Sequence, residues 1–269
     1  MAIKGKWIEY GEQIGYFAAP EKAAEPLPAI IVIQEAWGVN EHIEDVTKRF
    51  AAAGYAALAP DLFAKDGKRP AAFSQERIDK AVKFMRQLPP GVWGNLAARE
   101  AELAKLPEPD GKEIGETFGK IFGHAGGVAG YIPQLREAVK HLRTERQETK
   151  DQKVACVGFC MGGGLSALLA CEEPEISGAA IFYGSAPPLE KIPAIQCPVM
   201  GFYGGNDQRV NTGIPAFEEA MRGAGKPYER FVYEGANHSF FNDDGQAYNV
   251  KAVRDSFVRL LTFFYKTLS

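Results

Sequence analysis

A single cysteine, Cys160, stands in the setting best suited to chemistry, in the run Gly158-Phe-Cys-Met-Gly-Gly163. Residues 154–158 before it predict a buried strand, and residues 165–170 after it predict a helix. A sharp strand-to-helix turn exposes its central side chain, and the neighbouring glycines remove side chains that would collide there. The helix N-terminus favours a thiolate. The run therefore predicts a nucleophile elbow with sulfur as the attacking atom; a buried thiol in a glycine-rich turn is the simpler alternative.

A thiol nucleophile needs a general base, and the chain has four histidines. Three are set aside because they lie in predicted helices or in a glycine-rich segment: His42, His124 and His141. His238 remains, in the loop after the last predicted strand. Asp207 follows the preceding strand, where it would orient the imidazole, although an Asx turn is the alternative. The order Cys160, Asp207, His238 is that of an α/β-hydrolase triad.

A further carboxylate, Glu35, directly follows residues 29–34, which predict a strand covered on both faces. A charge there is costly unless it has a partner or a role. Its negative charge would oppose thiolate formation, and its oxygen could accept the thiol proton. A helix-capping or salt-bridged carboxylate is the alternative. The same loop and the residue after the nucleophile supply oxyanion-hole N–H groups in this fold, which assigns them to Ala36 and Met161.

Side chains flanking the proposed site give a provisional substrate pocket: Trp37, Phe159, Tyr183, Phe241 and Asn242. Four of them are aromatic and could form an apolar wall, although each fits an ordinary core equally well. Arg77 and Arg209 are positively charged candidates for substrate contact, but no motif assigns either of them a role.

Strands alternating with helices predict an α/β fold with a mostly parallel central sheet flanked by helices. Strands are expected at 7–10, 14–17, 29–34, 55–59, 154–158, 179–183, 199–203 and 228–233. Helices are expected at 42–53, 74–88, 131–144, 215–224 and about 246–266. The first two strands predict an N-terminal antiparallel hairpin. Each candidate residue falls just after a strand, at the edge of such sheets where ligands bind.

The length of 269 residues and a hydrophobic content of 46% allow one large core, so we expect a single domain over residues 1–269. Residues at about 70–130 break the strand–helix rhythm and predict a lid-like excursion, with a surface insertion as the alternative. The glycine cluster at 123–130 lacks the Gly-Lys-Ser/Thr ending of a phosphate loop, which argues against nucleotide binding.

Composition excludes several classes of partner. The net charge of −3 offers no basic stripe for nucleic acid, and the longest apolar runs are shorter than a membrane span. No secretory signal is recognisable at the N-terminus, so a cytoplasmic location is expected. The four cysteines are too few and too irregular for a disulfide framework or a zinc site. We therefore expect a small-molecule substrate and no metal or cofactor; the sequence leaves the oligomeric state open.

The chain resembles the dienelactone hydrolase family, also called carboxymethylenebutenolidases, through motifs that come in the family's order: Gln34-Glu-Ala-Trp-Gly-Val39, Ala59-Pro-Asp-Leu-Phe63, the cysteine elbow, Asp207 and Gly235-Ala-Asn-His-Ser-Phe240. The resemblance implies an α/β-hydrolase fold and cofactor-independent hydrolysis of a lactone or ester through a thioester acyl-enzyme. It also implies that Glu35 holds the resting thiol neutral, then moves and takes its proton when substrate binds. Members that act on dienelactones are expected to carry an arginine shortly after the catalytic histidine, where this chain has Asn242.

A non-hydrolytic thiol protein is the alternative function, either a redox sensor that uses Cys160 or a small-ligand receptor on a hydrolase fold. An exposed thiol and the lack of a recognisable substrate arginine motivate it. A redox role usually needs a resolving thiol, and Cys156 lies too near on the same predicted strand to approach easily.

Overall fold

The structure is a computed structural model that describes residues 2–89, 91–93, 95–123 and 127–269. His124 and the middle of the glycine cluster at 123–130 lie outside the described residues. The chain forms two compact units. The first comprises Met1–Leu62 and Val128–Ser269, and the second comprises Phe63–Gly127.

The first unit is built on a sheet of eight strands among the described residues: β1 (Ile3–Tyr10), β2 (Gln13–Pro20), β3 (Ala29–Ile33), β4 (Ala56–Pro60), β5 (Val154–Phe159), β6 (Ile176–Phe182), β7 (Val199–Gly204) and β8 (Tyr228–Tyr233). Their order across the sheet is β1-β2-β4-β3-β5-β6-β7-β8. Strand β2 pairs antiparallel with β1 and β4, and β3 to β8 pair in parallel. The predicted mostly parallel sheet with an N-terminal hairpin is confirmed.

The helices, in chain order, are α1 (Glu41–Ala52), α2 (Gln75–Gln87), α3 (Leu96–Leu103), α4 (Asp110–Phe122), α5 (Ile132–Lys140), α6 (Met161–Glu172), α7 (Gln208–Asn211), α8 (Ile214–Gly223) and α9 (Val250–Leu268). The helix expected at 131–144 ends as a π-helical turn, His141–Glu145. The last helix begins later than expected, because the Asn249 side chain accepts a hydrogen bond from the N–H of Ala252 and caps its first turn.

The two faces of the sheet are covered by different helices. All residues of β3 are buried, and alternate residues of a strand point to opposite faces. Ile30 and Val32 join a cluster with residues of α1 and α9, whose rings Phe50 and Phe264 lie 5.7 Å apart. On the other face, Cys156 of β5 contacts Ser166 of α6. Burial on both faces explains why these strands are short continuous apolar runs.

The second unit is helical. Only its first helix, α2, is expected from the sequence, at 74–88; α3 and α4 are not. Arg77 on α2 binds two carboxylates of α4, Glu113 at 3.0 Å and Glu116 at 2.8 Å. The rings of Trp93 and Phe118 pack edge to face with centroids 5.2 Å apart. The segment is therefore an ordered helical unit, and its function as a lid stays a prediction.

Candidate active site

The turn between β5 and α6 places Cys160 in a backbone conformation that residues other than glycine rarely adopt, with φ 54° and ψ −114°. A positive φ outside glycine is uncommon and costs energy. Two hydrogen bonds fix the turn: the Cys160 N–H donates to the Phe182 carbonyl at 3.0 Å, and the Gly163 N–H donates to the Cys160 carbonyl at 3.0 Å. Cys160 is partly exposed and is the N-cap residue of α6, and its side chain makes no capping hydrogen bond. The structure thus places the cysteine on the elbow that the sequence predicts.

Glycines let the backbone pack tightly around this turn. A Cβ atom on Gly158 would lie 1.8 Å from the Gly162 carbonyl oxygen. A Cβ atom on Gly162 would lie 2.4 Å from the carbonyl oxygens of Ile33 and Gln34. The connection that follows β3, which carries Glu35, therefore packs directly against the elbow.

His238 and Asp207 form a close pair at the same edge of the sheet. His238 Nδ1 lies 2.5 Å from Asp207 Oδ2, and the Asp207 side chain is 6% exposed. Because an ionised carboxylate only accepts hydrogen bonds, Nδ1 carries the proton and Nε2 is left for the nucleophile. The structure brings together the predicted base and its orienting acid, which lie on the loops after β8 and β7.

The Cys160 sulfur also affects the pKa of the His238 imidazole. Burial lowers the pKa of His238, but the hydrogen bond to Asp207 and the interaction with Cys160 outweigh burial and raise the pKa to about 9. His238 Nε2 is buried and makes no hydrogen bond to any described residue. Its contact with the Cys160 sulfur is therefore weaker than the hydrogen bond from Nδ1 to Asp207. The raised pKa favours a protonated imidazole beside the Cys160 sulfur.

Glu35 is 3% exposed, and each of its carboxylate oxygens accepts a hydrogen bond from a neutral donor. The Tyr183 hydroxyl donates to Oε1 at 3.3 Å, and Asn242 Nδ2 donates to Oε2 at 2.8 Å. Burial and the charges of Glu35 and Cys160 hold the pKa of Tyr183 well above its usual value, so the hydroxyl remains a donor. Asn242 Oδ1 accepts from the Asp244 N–H at 3.0 Å, which fixes the orientation of the amide. Within the described part of the chain, neither a helix cap nor an ion pair accounts for the buried Glu35.

The provisional pocket residues separate into three groups. Phe159 and Phe241 are fully buried, with ring centroids 5.3 Å apart, so they belong to the core rather than to a substrate wall. Tyr183 and Asn242 point polar atoms at Glu35, a function that the sequence analysis did not predict. Trp37 is partly exposed and remains a candidate for the wall. The position of Tyr183 directly after β6, at the edge that carries the other site residues, was the available signal.

One oxyanion-hole candidate belongs to the elbow, and the other lies in the connection after β3. Met161 is the first residue of α6, and the N–H groups of a first helical turn have no partner within the helix. Ala36 is buried in the connection between β3 and α1, next to Glu35. This placement supports the assignment of both N–H groups to a developing oxyanion.

The other three cysteines are buried. Burial raises the pKa of Cys156 to about 12, and its sulfur lies 3.1 Å from Ser166 Oγ. Burial likewise raises the pKa of Cys171 to about 11 and that of Cys197 to about 12. Only Cys160 is placed for reaction with a substrate, and Cys156 is not placed as a resolving thiol.

Two kinds of feature are absent from the described ranges. No set of three or more histidine, cysteine, aspartate or glutamate side chains there is grouped closely enough to hold a metal ion. Across the same ranges, no helix has the length and apolar character needed to cross a membrane.

Arg209, a substrate-contact candidate, lies on the short helix α7.

Comparison with known proteins identifies the family. The model of the dienelactone hydrolase family matches residues 14–268. A Saccharolobus solfataricus protein, provisionally named carboxymethylenebutenolidase, is 32% identical over 249 residues, which cover 92% of this chain and 91% of that protein. The crystal structure of a provisionally named dienelactone hydrolase from Klebsiella pneumoniae has a TM-score of 0.73 at 25% identity and covers 99% of this chain and 100% of its own.

A dienelactone hydrolase-like promiscuous phosphotriesterase from metagenomic libraries shares the fold, with a TM-score of 0.68 at 21% identity over the full length of both chains. The mixed eight-stranded sheet is accordingly that of an α/β-hydrolase, as the sequence predicts. The chain belongs to the dienelactone hydrolase family and is a hydrolase.

Proposed function

We propose that this hydrolase cleaves a carboxylic ester or lactone through a Cys160–His238–Asp207 triad and a thioester acyl-enzyme. The observation that carries the proposal is the strained elbow, which sets the Cys160 sulfur against an imidazole whose pKa is raised to about 9. Membership of the family supports the reaction class, and the geometry of the elbow supports Cys160 as the nucleophile.

In the acylation step, the thiol proton passes to His238 Nε2 and the sulfur attacks the carbonyl carbon of the substrate. The N–H groups of Met161 and Ala36 stabilise the oxyanion of the tetrahedral intermediate. The intermediate collapses, the bond from carbon to the leaving oxygen breaks, and the imidazolium protonates that alkoxide. In a lactone the alkoxide stays on the same molecule, so ring opening leaves the hydroxyl tethered to the enzyme.

In the deacylation step, neutral His238 removes a proton from water, and the resulting hydroxide attacks the thioester carbonyl. The carbon–sulfur bond breaks, the acid leaves, and the proton returns to the sulfur. Asp207 holds the imidazole in one tautomer throughout and stabilises its charged form. Nothing is oxidised or reduced, so no cofactor is required.

Glu35 adjusts the charge around the thiol in this proposal. Its buried carboxylate opposes thiolate formation when the site is empty. The two neutral donors reduce this effect without cancelling the charge. A site with this carboxylate suits sulfur, because a thiol titrates close enough to neutrality to be held and then released as thiolate.

The test compares wild type with Cys160→Ala on a small aryl ester and on a lactone. Cys171→Ala is the matched control, because it removes another thiol from α6 outside the proposed site. We expect loss of turnover and of the acyl adduct seen by mass spectrometry in Cys160→Ala alone. Equal turnover by Cys160→Ala and wild type would refute the mechanism.

A further inference from the structure

Asp243 belongs to a charged cluster that the proposed mechanism does not use. Its Oδ1 lies 3.0 Å from His42 Nδ1, and its Oδ2 pairs with Arg49. Both partners are on α1, and Arg49 also binds Asp45 with an Nε–Oδ2 distance of 2.7 Å. Burial raises the pKa of Asp243, but the contacts with Arg49 and His42 outweigh burial and lower it. Asp243 is therefore an ionised side chain held from two sides.

His42 makes this cluster more than a surface ion pair. Its side chain is fully buried, while that of Asp243 is 36% exposed. Because the carboxylate only accepts, Nδ1 is the donor. Nε2 is buried and has no hydrogen-bond partner among the residues that the structure describes. Burying a polar ring that makes a single hydrogen bond costs free energy. The hydrogen bond from His42 to Asp243 therefore needs a structural reason.

The explanation lies one residue away, at Asn242. Asn242 donates to Glu35 at 2.8 Å, and the backbone around it is folded into consecutive turns. The Asn242 N–H donates to the Ser239 carbonyl at 3.0 Å, and the Gly245 N–H donates to the Asn242 carbonyl at 3.1 Å. The turn from Ser239 to Gly245 thus meets the connection after β3 and the following helix at two adjacent points, Asn242 on Glu35 and Asp243 on α1.

We propose that Asp243 is a positioning residue that, anchored by His42 and Arg49, holds Asn242 against Glu35 and so sets the reactivity of the Cys160 thiol. The proposal rests on the proposed function for the identity of the nucleophile. Asn242 offsets part of the Glu35 charge. When Asn242 is displaced, more of that charge acts on the sulfur, and the thiolate is disfavoured.

Alkylation of Cys160 by iodoacetamide reports this effect without any turnover, because the thiolate is the reacting form and the other three cysteines are buried. Asp243→Leu removes both acceptors at nearly constant size. We expect its alkylation rate at neutral pH to fall by about tenfold, equal to ~1.4 kcal/mol, with the pH profile moved to higher pH. We expect kcat to fall and KM to stay unchanged, since Asp243 is not placed in the substrate site. Asp243→Asn keeps an acceptor for His42 and should remain within about threefold of wild type.

Asn242→Leu and the double variant Asp243→Leu/Asn242→Leu decide whether Asp243 acts through Asn242. The double variant should react no more slowly than Asn242→Leu alone, because residues that act through one contact are not additive. An unchanged alkylation profile in Asp243→Leu would overturn the proposal, and so would effects that multiply in the double variant. If Asp243→Leu does not fold, His42→Leu replaces it, and His42→Asn replaces the control Asp243→Asn. Of these two variants at residue 42, only His42→Asn keeps a donor near the position of Nδ1.

This outcome is separable from the fate of the proposed function. Full turnover by Cys160→Ala would refute the catalytic role of the thiol, yet the alkylation series would still show whether Asp243 controls Asn242. Loss of turnover in Cys160→Ala together with identical alkylation of wild type and Asp243→Leu would keep the mechanism and refute the positioning role.

Discussion

Asp207→Asn removes the carboxylate that accepts from His238 Nδ1 while leaving the size of the side chain nearly unchanged. In the wild type, burial lowers the pKa of His238, but Asp207 and Cys160 outweigh it and raise the pKa to about 9. Without the carboxylate, burial acts with less opposition, and we expect the pKa of His238 to fall toward or below its ordinary value of about 6.5.

This change predicts how stability depends on pH. A group whose pKa is raised on folding stabilises the fold fully below its unfolded pKa, and that contribution disappears as the pH rises through the folded pKa. The rise from 6.5 to about 9, at ~1.4 kcal/mol per pH unit, corresponds to about 3 kcal/mol. The wild type should therefore lose about 3 kcal/mol of unfolding free energy between pH 6.5 and about pH 9, relative to Asp207→Asn.

The assay is urea unfolding followed by circular dichroism at several pH values across this window, with a histidine NMR titration on the same samples. The comparison must be between variants, because the three buried cysteines also make the stability of the fold depend on pH. Their thiols ionise more readily in the unfolded chain, so the unfolding free energy falls as the pH rises. His238→Asn lacks the titrating group and should match the shallow pH dependence of Asp207→Asn. Parallel curves for wild type and Asp207→Asn, or an NMR pKa for His238 near 6.5 in the wild type, would refute the reasoning.

Two further predictions concern backbone packing and the buried carboxylate. Gly162→Ala places a Cβ atom 2.4 Å from two backbone oxygens and should cost about 3 kcal/mol or more, whereas Gly223→Ala, with no atom within 4 Å, should gain ~0.5–1 kcal/mol in thermal unfolding. Similar losses in both variants would contradict the packing argument. Tyr183→Phe leaves Glu35 Oε1 without its donor and should cost ~1.5–3 kcal/mol, while Tyr265→Phe, at a residue that is 72% exposed, should stay within ~0.5 kcal/mol. Equal stability of the two phenylalanine variants would show that the hydrogen bond to Glu35 is unimportant.

The sheet and the triad candidates could be predicted because their signals are local. The strands are short apolar runs bounded by polar residues, and burial on both faces produces that pattern. The elbow needs only a strand, three glycines and a helix in immediate succession. The order of nucleophile, acid and base then follows from the order of the strands, since the loops after parallel strands meet at one edge.

The helices of the second unit were harder to predict for physical reasons that differ between them. Helix α3 has no buried residue, so it shows no apolar face to recognise. Helix α4 buries Ile114, Phe118 and Ile121, a helical spacing, but three glycines interrupt the sequence and obscure the pattern. The hydrogen bond from Asn242 to Glu35 joins residues 207 positions apart, and no local pattern contains it.

Backbone strain occurs at the edge of the sheet, directly after two strands that carry residues of the candidate site. Among the residues that the structure describes, five non-glycine residues have positive φ; two of them, Asp66 and Asp151, are of the short polar type that tolerates this conformation. Cys160 and Tyr183 are not, and each directly follows a strand whose end residue is fully buried. Such strain costs about 1–3 kcal/mol per residue and persists only where the surroundings enforce it. The buried ends of strands β5 and β6 hold Cys160 and Tyr183 in this conformation, and the Tyr183 hydroxyl is thereby placed on the Glu35 carboxylate.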